Sequence, residues 1–312
     1  MPRLTRRFQL LAILIALLPS PAARADLLDD AKSAYESGKY DEAVKILRVA
    51  AVQGNVKAQY QLGILYEHGR GVSQDYKQAF EWYQKSAAQG NASAENNLGY
   101  LYYTGQGVAQ DYPQAFLWYS KSVEQEGNDS WDESIAWSNL GNMYFWGRGV
   151  SKNYQKAWDC YTKASTKGNP FAQNNLGYLY EHGLGVARDN AQAMIWYRKA
   201  AEKGYPFAES NLAVMYETGR GVMRNYDEAL KWYREAALRG NPFAQYKLGH
   251  IYERGIGASR DVVEAYKWYL LASMHGDKPA QESLKRLQSV VTGAQIAEAK
   301  KRADSIPPPS HE

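Results

Sequence analysis

NVKAQYQLGILYEHGRGVSQDYKQAFEWYQKSAAQG, residues 55–90, decides the fold. It reads as a helix, a glycine-bracketed loop and a second helix, and the chain then writes it out again. Its Leu62-Gly63 pair returns at Leu98-Gly99, Leu140-Gly141, Leu176-Gly177, Leu212-Ala213 and Leu248-Gly249, at steps of 36, 42, 36, 36 and 36 residues. A fixed period in this range marks an array of supersecondary units, each burying its apolar face against the next. Two helical patterns per unit predict an all-α fold, an α-solenoid of stacked helix-turn-helix repeats.

Within the unit, Ala58, Leu62 and Tyr66 fall at i, i+4 and i+8, one apolar stripe of a first helix. Gly63 lies on that stripe. A mid-helix glycine costs about 1 kcal/mol relative to alanine, so a close helix approach is expected there. Gly69-Arg70-Gly71-Val72 follows, with counterparts starting at Gly105, Gly147, Gly183 and Gly219, and a last copy reading Gly255-Ile256-Gly257-Ala258. These glycines suit positive φ at a helix exit. They do not suit a phosphate cradle, because the loop follows a helix and contains no Lys-Ser/Thr pair.

The second helix begins after Asp75, Asp111, Asn153, Asp189, Asn225 or Asp261. Gln78, Gln114, Gln192, Glu228 and Glu264 stand three residues later, Lys156 being the exception, and this spacing predicts capping boxes. Ala79, Trp82, Tyr83 and Ala87 form its buried stripe. Later first helices open with Asn169-Pro170 and Asn241-Pro242, an N-cap and a proline at N1.

Leu-Gly-x-x-Tyr, Gly-x-Gly-Val, Asp-x-x-x-Ala-x-x-Trp-Tyr and the small pair before the closing glycine together resemble the Sel-1-like repeat. Six copies cover residues 55–276. The resemblance implies a right-handed α-solenoid related to tetratricopeptide repeats, serving as a scaffold or adaptor for other proteins. It also implies an exported bacterial setting, in envelope regulation, polysaccharide export, cell-wall control or host contact. Residues 26–54, with AYESGKYDEAVKIL from Ala34 to Leu47, resemble one tetratricopeptide-like unit that caps the open end. Residues 277–304 read as two short closing helices, in which Leu284, Leu287, Val290 and Val291 cover the last unit while Lys and Arg face water. Residues 305–312, with three consecutive prolines, read as a disordered tail.

Residues 1–25 read as a cleaved signal peptide. Arg3, Arg6 and Arg7 precede an apolar run from Phe8 to Leu18, and Ala23-Arg24-Ala25 is a small-x-small cleavage site before Asp26. That run is well short of the roughly 20 residues needed to span a bilayer, so a periplasmic or secreted protein without stable membrane insertion is expected. The chain's net charge of +4 comes from 37 basic and 33 acidic residues, and four of the basic ones are the arginines of this leader. The remainder is neutral and has no basic run, which gives no electrostatic case for nucleic acid. The single cysteine, Cys160, excludes an intramolecular disulfide and reads as a quiet buried thiol.

No His-Glu-x-x-His, Gly-x-Ser-x-Gly, Ser-x-x-Lys or Cys-x-x-Cys motif occurs. No catalytic residue, metal ligand or cofactor is therefore expected. His68 and His182 share a repeat position three units apart, too far to share a metal, and each suits the negative end of its helix. Function is sought instead where the copies differ, at positions such as Tyr60, Ile64 and Glu67 that stacking leaves free to vary. On the concave wall implied by the tetratricopeptide resemblance, the candidate contacts are Tyr60, Tyr100, Tyr103, Phe145, Trp146, Tyr178 and Tyr246. Phe171, Phe207 and Phe243 recur 36 residues apart and serve either as contacts or as staples between units. The six extra residues of the 42-residue step fall in Glu124–Ser134, read as a surface loop that presents Trp131. The expected partner is a protein or peptide of the envelope or of a host. Two other classes compete: a weak penicillin-binding or β-lactamase-like enzyme, which among exported relatives goes with cysteine-rich repeats, and a glycan-binding solenoid, suggested by the many Tyr and Trp.

Overall fold

The computed structural model of the chain describes residues 21–124 and 131–306, and among them are sixteen helices and no strand. An opening pair, α1 (Pro21–Glu36) and α2 (Tyr40–Val52), precedes six repeats. These comprise α3 (Val56–His68) and α4 (Tyr76–Ala87), α5 (Ala92–Thr104) and α6 (Tyr112–Glu124), and α7 (Trp131–Trp146) and α8 (Tyr154–Thr166). They continue with α9 (Pro170–His182) and α10 (Asn190–Ala201), α11 (Pro206–Thr218) and α12 (Tyr226–Leu238), and α13 (Pro242–Arg254) and α14 (Val262–Met274). Two closing helices follow, α15 (Lys278–Gln288) and α16 (Gly293–Asp304). This is the all-α, stacked helix-turn-helix architecture of an α-solenoid. Helix α1 begins ahead of Asp26 and contains the stretch read as a cleavage site; residues 1–20 and 307–312, with most of the leader and of the tail, lie outside the described residues.

The chain divides into two compact units, Met1–Lys152 and Asn153–Glu312. In the first, α3 packs on α4 and α5 on α6, and α2, α4 and α6 each pack on the first helix that follows. In the second, α9, α11 and α13 pair with α10, α12 and α14, while α14 also carries α15 and α16.

The mid-helix glycines have the reason their cost demanded. A Cβ at Gly63 would stand 2.5 Å from the ring of Tyr83, and at Gly177 it would stand 2.6 Å from that of Tyr197. Each of these tyrosines is fully buried. Four second-helix tyrosines, these two included, spend the hydroxyl on a first-helix carboxylate: Tyr83 donates to Glu67 at 2.5 Å, Tyr197 to Glu181 at 2.9 Å, Tyr233 to Glu217 at 2.5 Å and Tyr269 to Glu253 at 2.7 Å. Glu67 is therefore a packing residue, contrary to its reading as a position left free to vary. A buried phenol needs an acceptor, and this glutamate supplies it.

The two loop glycines do different work. Gly105 ends α5 in the left-handed region and its N–H donates to Leu101 O. Gly107 also has positive φ, and a Cβ there would meet the backbone of Tyr76 in the preceding repeat. The second glycine is thus the point where one repeat's loop rests on the start of its neighbour's second helix.

The capping boxes of the second helices are not closed. Asp75 accepts from Lys77 N and Gln78 N, and Asp189 from Ala191 N and Gln192 N, as an N-cap should. The return arm has nothing left to satisfy, because the cap N–H already donates to a first-helix tyrosine carbonyl. Asp75 N reaches Tyr66 O and Asp189 N reaches Tyr180 O, both at 2.9 Å. A complete box occurs instead in α16, between Thr292 and Gln295.

The closing helices depart from expectation in two ways. Leu287 is buried and Leu284 and Val291 pack against the core, but Val290 is exposed. Arg286 and Arg302 do not simply face water. Arg286 bonds Glu253 at 2.8 Å, and Arg302 bonds Glu264 at 2.9 Å, tying the closing helices to the last repeat's carboxylates. Cys160 is buried, and burial pushes its thiol up to about 12, which keeps it protonated and inert.

Candidate interaction surface

In the first unit, α3, α5 and α7 carry the candidate side chains. Tyr60 lies against Tyr83 with ring centroids 5.9 Å apart. Burial, helped by the nearby Asp132 carboxylate, pushes its hydroxyl up to about 12. Tyr60 is therefore as much packing as surface. Tyr100 is exposed one turn further along its own helix face. Tyr103 meets Tyr112 edge-on at 5.4 Å, and Arg148 lies over both rings while donating to the Tyr103 hydroxyl. At the end of α7, Phe145 packs edge-on against Trp146 at 4.8 Å, leaving Trp146 58% exposed. Asn139 donates to the Asn96 side chain at 3.0 Å, so amides link α7 to α5 beside these rings.

Trp131 does not sit in a loop. It is the first residue of α7, which runs to 16 residues where the other first helices of the repeats have 13. Part of the insertion has become an extra turn, anchored where Ser93 donates to Asp132 at 2.5 Å. Trp131 is 53% exposed on that turn, while residues 125–130 lie outside the described residues.

In the second unit, α9 and α13 carry the remaining tyrosine candidates. Tyr178 is exposed and stacks on His182 at 4.0 Å. The His182 ring nitrogen lies 2.9 Å from Tyr178 O, within its own helix, which accounts for the histidine without a metal. Asn211 donates to Asn174 at 3.0 Å, the same amide link seen in the first unit. Glu181 and Glu217, besides accepting from tyrosine, pair with Arg220 at 2.7 Å and Lys247 at 2.9 Å. Tyr246 packs on Tyr269 at 5.8 Å, as Tyr60 does on Tyr83.

Phe171, Phe207 and Phe243 stand at the second position of α9, α11 and α13, at the edge of this face. The sequence reading missed their companion. Tyr205 occupies the N-cap that is Asn in neighbouring repeats and makes no side-chain cap bond. Its ring lies 6.4 Å from that of Phe171 and 5.6 Å from that of Phe207. Phe171 is thereby stapled to the next repeat, whereas Phe207 remains 56% exposed. The loss of a capping Asn was the available signal.

Among the described residues no group of three or more His, Cys, Asp or Glu could hold a metal ion, and no helix is long and apolar enough to cross a membrane. The surface offers aromatic faces, amides and paired charges, which suit binding.

The Sel1 repeat matches residues 56–91, 92–126, 136–169, 170–205, 206–241 and 242–277. The chain belongs to the Sel1 repeat family. Sel1 repeats typically form protein-interaction scaffolds. A Sel1 repeat protein from Oxalobacter formigenes is 33% identical with a TM-score of 0.72, over 78% of this chain and 94% of that one. A protective antigen of uropathogenic Escherichia coli with an SLR fold is 32% identical with a TM-score of 0.69. That likeness covers 90% of this chain but 64% of the antigen's. An exopolysaccharide production negative regulator of Rhizobium meliloti (strain 1021) is 41% identical over 51 residues, 16% of this chain and 19% of the regulator.

Proposed function

We propose that this Sel1 repeat protein is an exported, non-enzymatic scaffold that holds a protein or peptide partner against the first helices of its repeats. The observation that carries the reading is the contrast between positions. Leu62, Gly63, Tyr83 and their counterparts are consumed by stacking, and Glu67 by its tyrosine, while Tyr100, Trp131 and Trp146 stay exposed on first helices. Exposed aromatics beside amides are the side chains that dominate protein interfaces. Export rests on the leader-like features of residues 1–25, and envelope or host contact as the setting rests on the family's range.

The test is replacement of Tyr100, Phe145 and Trp146 together by Ala. Truncating anchors of this kind costs roughly 2 kcal/mol or more each, so partner affinity should fall by more than about 100-fold. Far-UV circular dichroism should be unchanged, because none of the three lies in the buried core. Full affinity in the triple variant would remove this face from the partner's footprint. A fusion of residues 1–30 to a reporter tests export separately, with a processed, periplasmic reporter expected.

A further inference from the structure

One buried carboxylate takes no part in this surface. Glu209 lies in the first turns of α11 with its side chain 2% exposed. The equivalent residues in the first and sixth repeats are Gln59 and Gln245, and each works as a clasp. Gln59 donates to Ala51 O and Gln245 to Ala237 O, both at 3.0 Å, across the turn that precedes their helix. Their amide oxygens then face a side chain from the next turn along: Gln89 donates to Gln59 at 2.8 Å, and the His275 ring lies 3.2 Å from Gln245.

The fifth repeat builds the same clasp with ionisable groups. Arg239 occupies the position of Gln89 and His275, and its guanidinium is 3.5 Å from Glu209 Oε1. The carbonyl equivalent to those of Ala51 and Ala237 is that of Ala201, which receives the N–H of Gly204 as theirs receive Gly54 and Gly240. An amide N–H can donate to such a carbonyl, but a carboxylate oxygen cannot. Glu209 Oε2 is buried without a partner. Adding a proton turns that oxygen into the missing donor.

We propose that Glu209 and Arg239 form a proton-operated clasp in the fifth repeat, closed when Glu209 is protonated and loosened when it ionises. The charges facing Glu209 are few. Arg239 favours the carboxylate, but Glu235 on α12 opposes it and holds Arg239 at 2.9 Å. From α10, the residues in the core that α11 shares are Ala193, Met194, Tyr197, Ala200 and Ala201, whose one ionisable group, the Tyr197 hydroxyl, is taken by Glu181, and Lys203 in the turn points back to Gly168 O. Burial therefore dominates and pushes Glu209 up to about 7, with Arg239 opposing and Glu235 assisting. The folded state binds the proton more tightly than the unfolded chain, whose glutamate titrates near 4.5. The clasp's contribution is complete below about 4.5 and declines as pH rises to about 7, the reverse of an ordinary ion-paired glutamate.

The experiment is thermal unfolding of the full chain from pH 5 to pH 8, for the wild type and for Glu209→Gln. Gln at three equivalent positions of this chain makes that variant compatible with the fold. The wild-type midpoint should fall relative to the variant's as pH rises, so that Glu209→Gln is more stable at pH 8 and the gap closes towards pH 5. Arg239→Gln in the wild-type background should steepen the decline, and in the Glu209→Gln background should leave the curve without it. Parallel pH curves for wild type and Glu209→Gln would overturn the proposal. So would a Glu209 carboxyl that titrates at 4–5 by carbon NMR.

Discussion

Gly107 and Gly105 separate two uses of one residue type. Both have positive φ, but only at Gly107 would a methyl group strike the preceding repeat's backbone. Gly107→Ala adds a steric collision to backbone strain and should cost on the order of 2–5 kcal/mol. Gly105→Ala, whose new Cβ would meet Gln110 at 3.2 Å, should cost only about 1–2 kcal/mol. Urea unfolding of the two variants checks the order, and equal losses would mean that the second glycine makes no special contact. Glu217 gives a second residue-level case. Glu217→Ala strands the buried Tyr233 hydroxyl and the Lys247 ammonium together, and should cost about 1–3 kcal/mol in the same assay. The glycines were legible in the sequence because nothing else fits their conformation. Glu67 and its counterparts were not, because their tyrosine partners lie 16 residues away on another helix, and periodicity carries no information on that pairing.

At the scale of the helix, starts and stops were written in the chain more plainly than their bonding. Asp, Asn and Gly marked nearly every boundary, yet the expected capping boxes failed because a tyrosine carbonyl of the preceding helix had already taken the cap N–H. Asp189→Ala should therefore cost about 1 kcal/mol, while Gln192→Ala should be near neutral. A loss at Gln192 as large as at Asp189 would restore the box. The same limit appears at α7, where spacing revealed six extra residues but not that Trp131 would extend the helix by a turn. It appears again at α15 and α16, where Arg286 and Arg302 reach carboxylates that no repeat follows. Such contacts arise only when elements from different parts of the chain meet.

For the whole molecule, the fold was readable almost entirely from one 36-residue unit, because a repeat states its own neighbour contacts six times over. The surface was less readable. Of the proposed contacts, Tyr60, Tyr103, Phe145, Tyr246 and Phe171 are partly spent on packing, whereas Tyr100, Trp131, Trp146, Tyr178, Phe207 and Phe243 are exposed. The scaffold reading stands on that exposed subset. Its most direct test is site-specific photocrosslinking in living cells, with the probe placed either at Tyr100 or at Gln84, an exposed position on the second helix α4. A discrete protein adduct from Tyr100, lost in the Phe145→Ala/Trp146→Ala background and absent from Gln84, is the predicted result. An adduct that forms from Gln84 and not from Tyr100 would place the partner on the other helices and contradict the account.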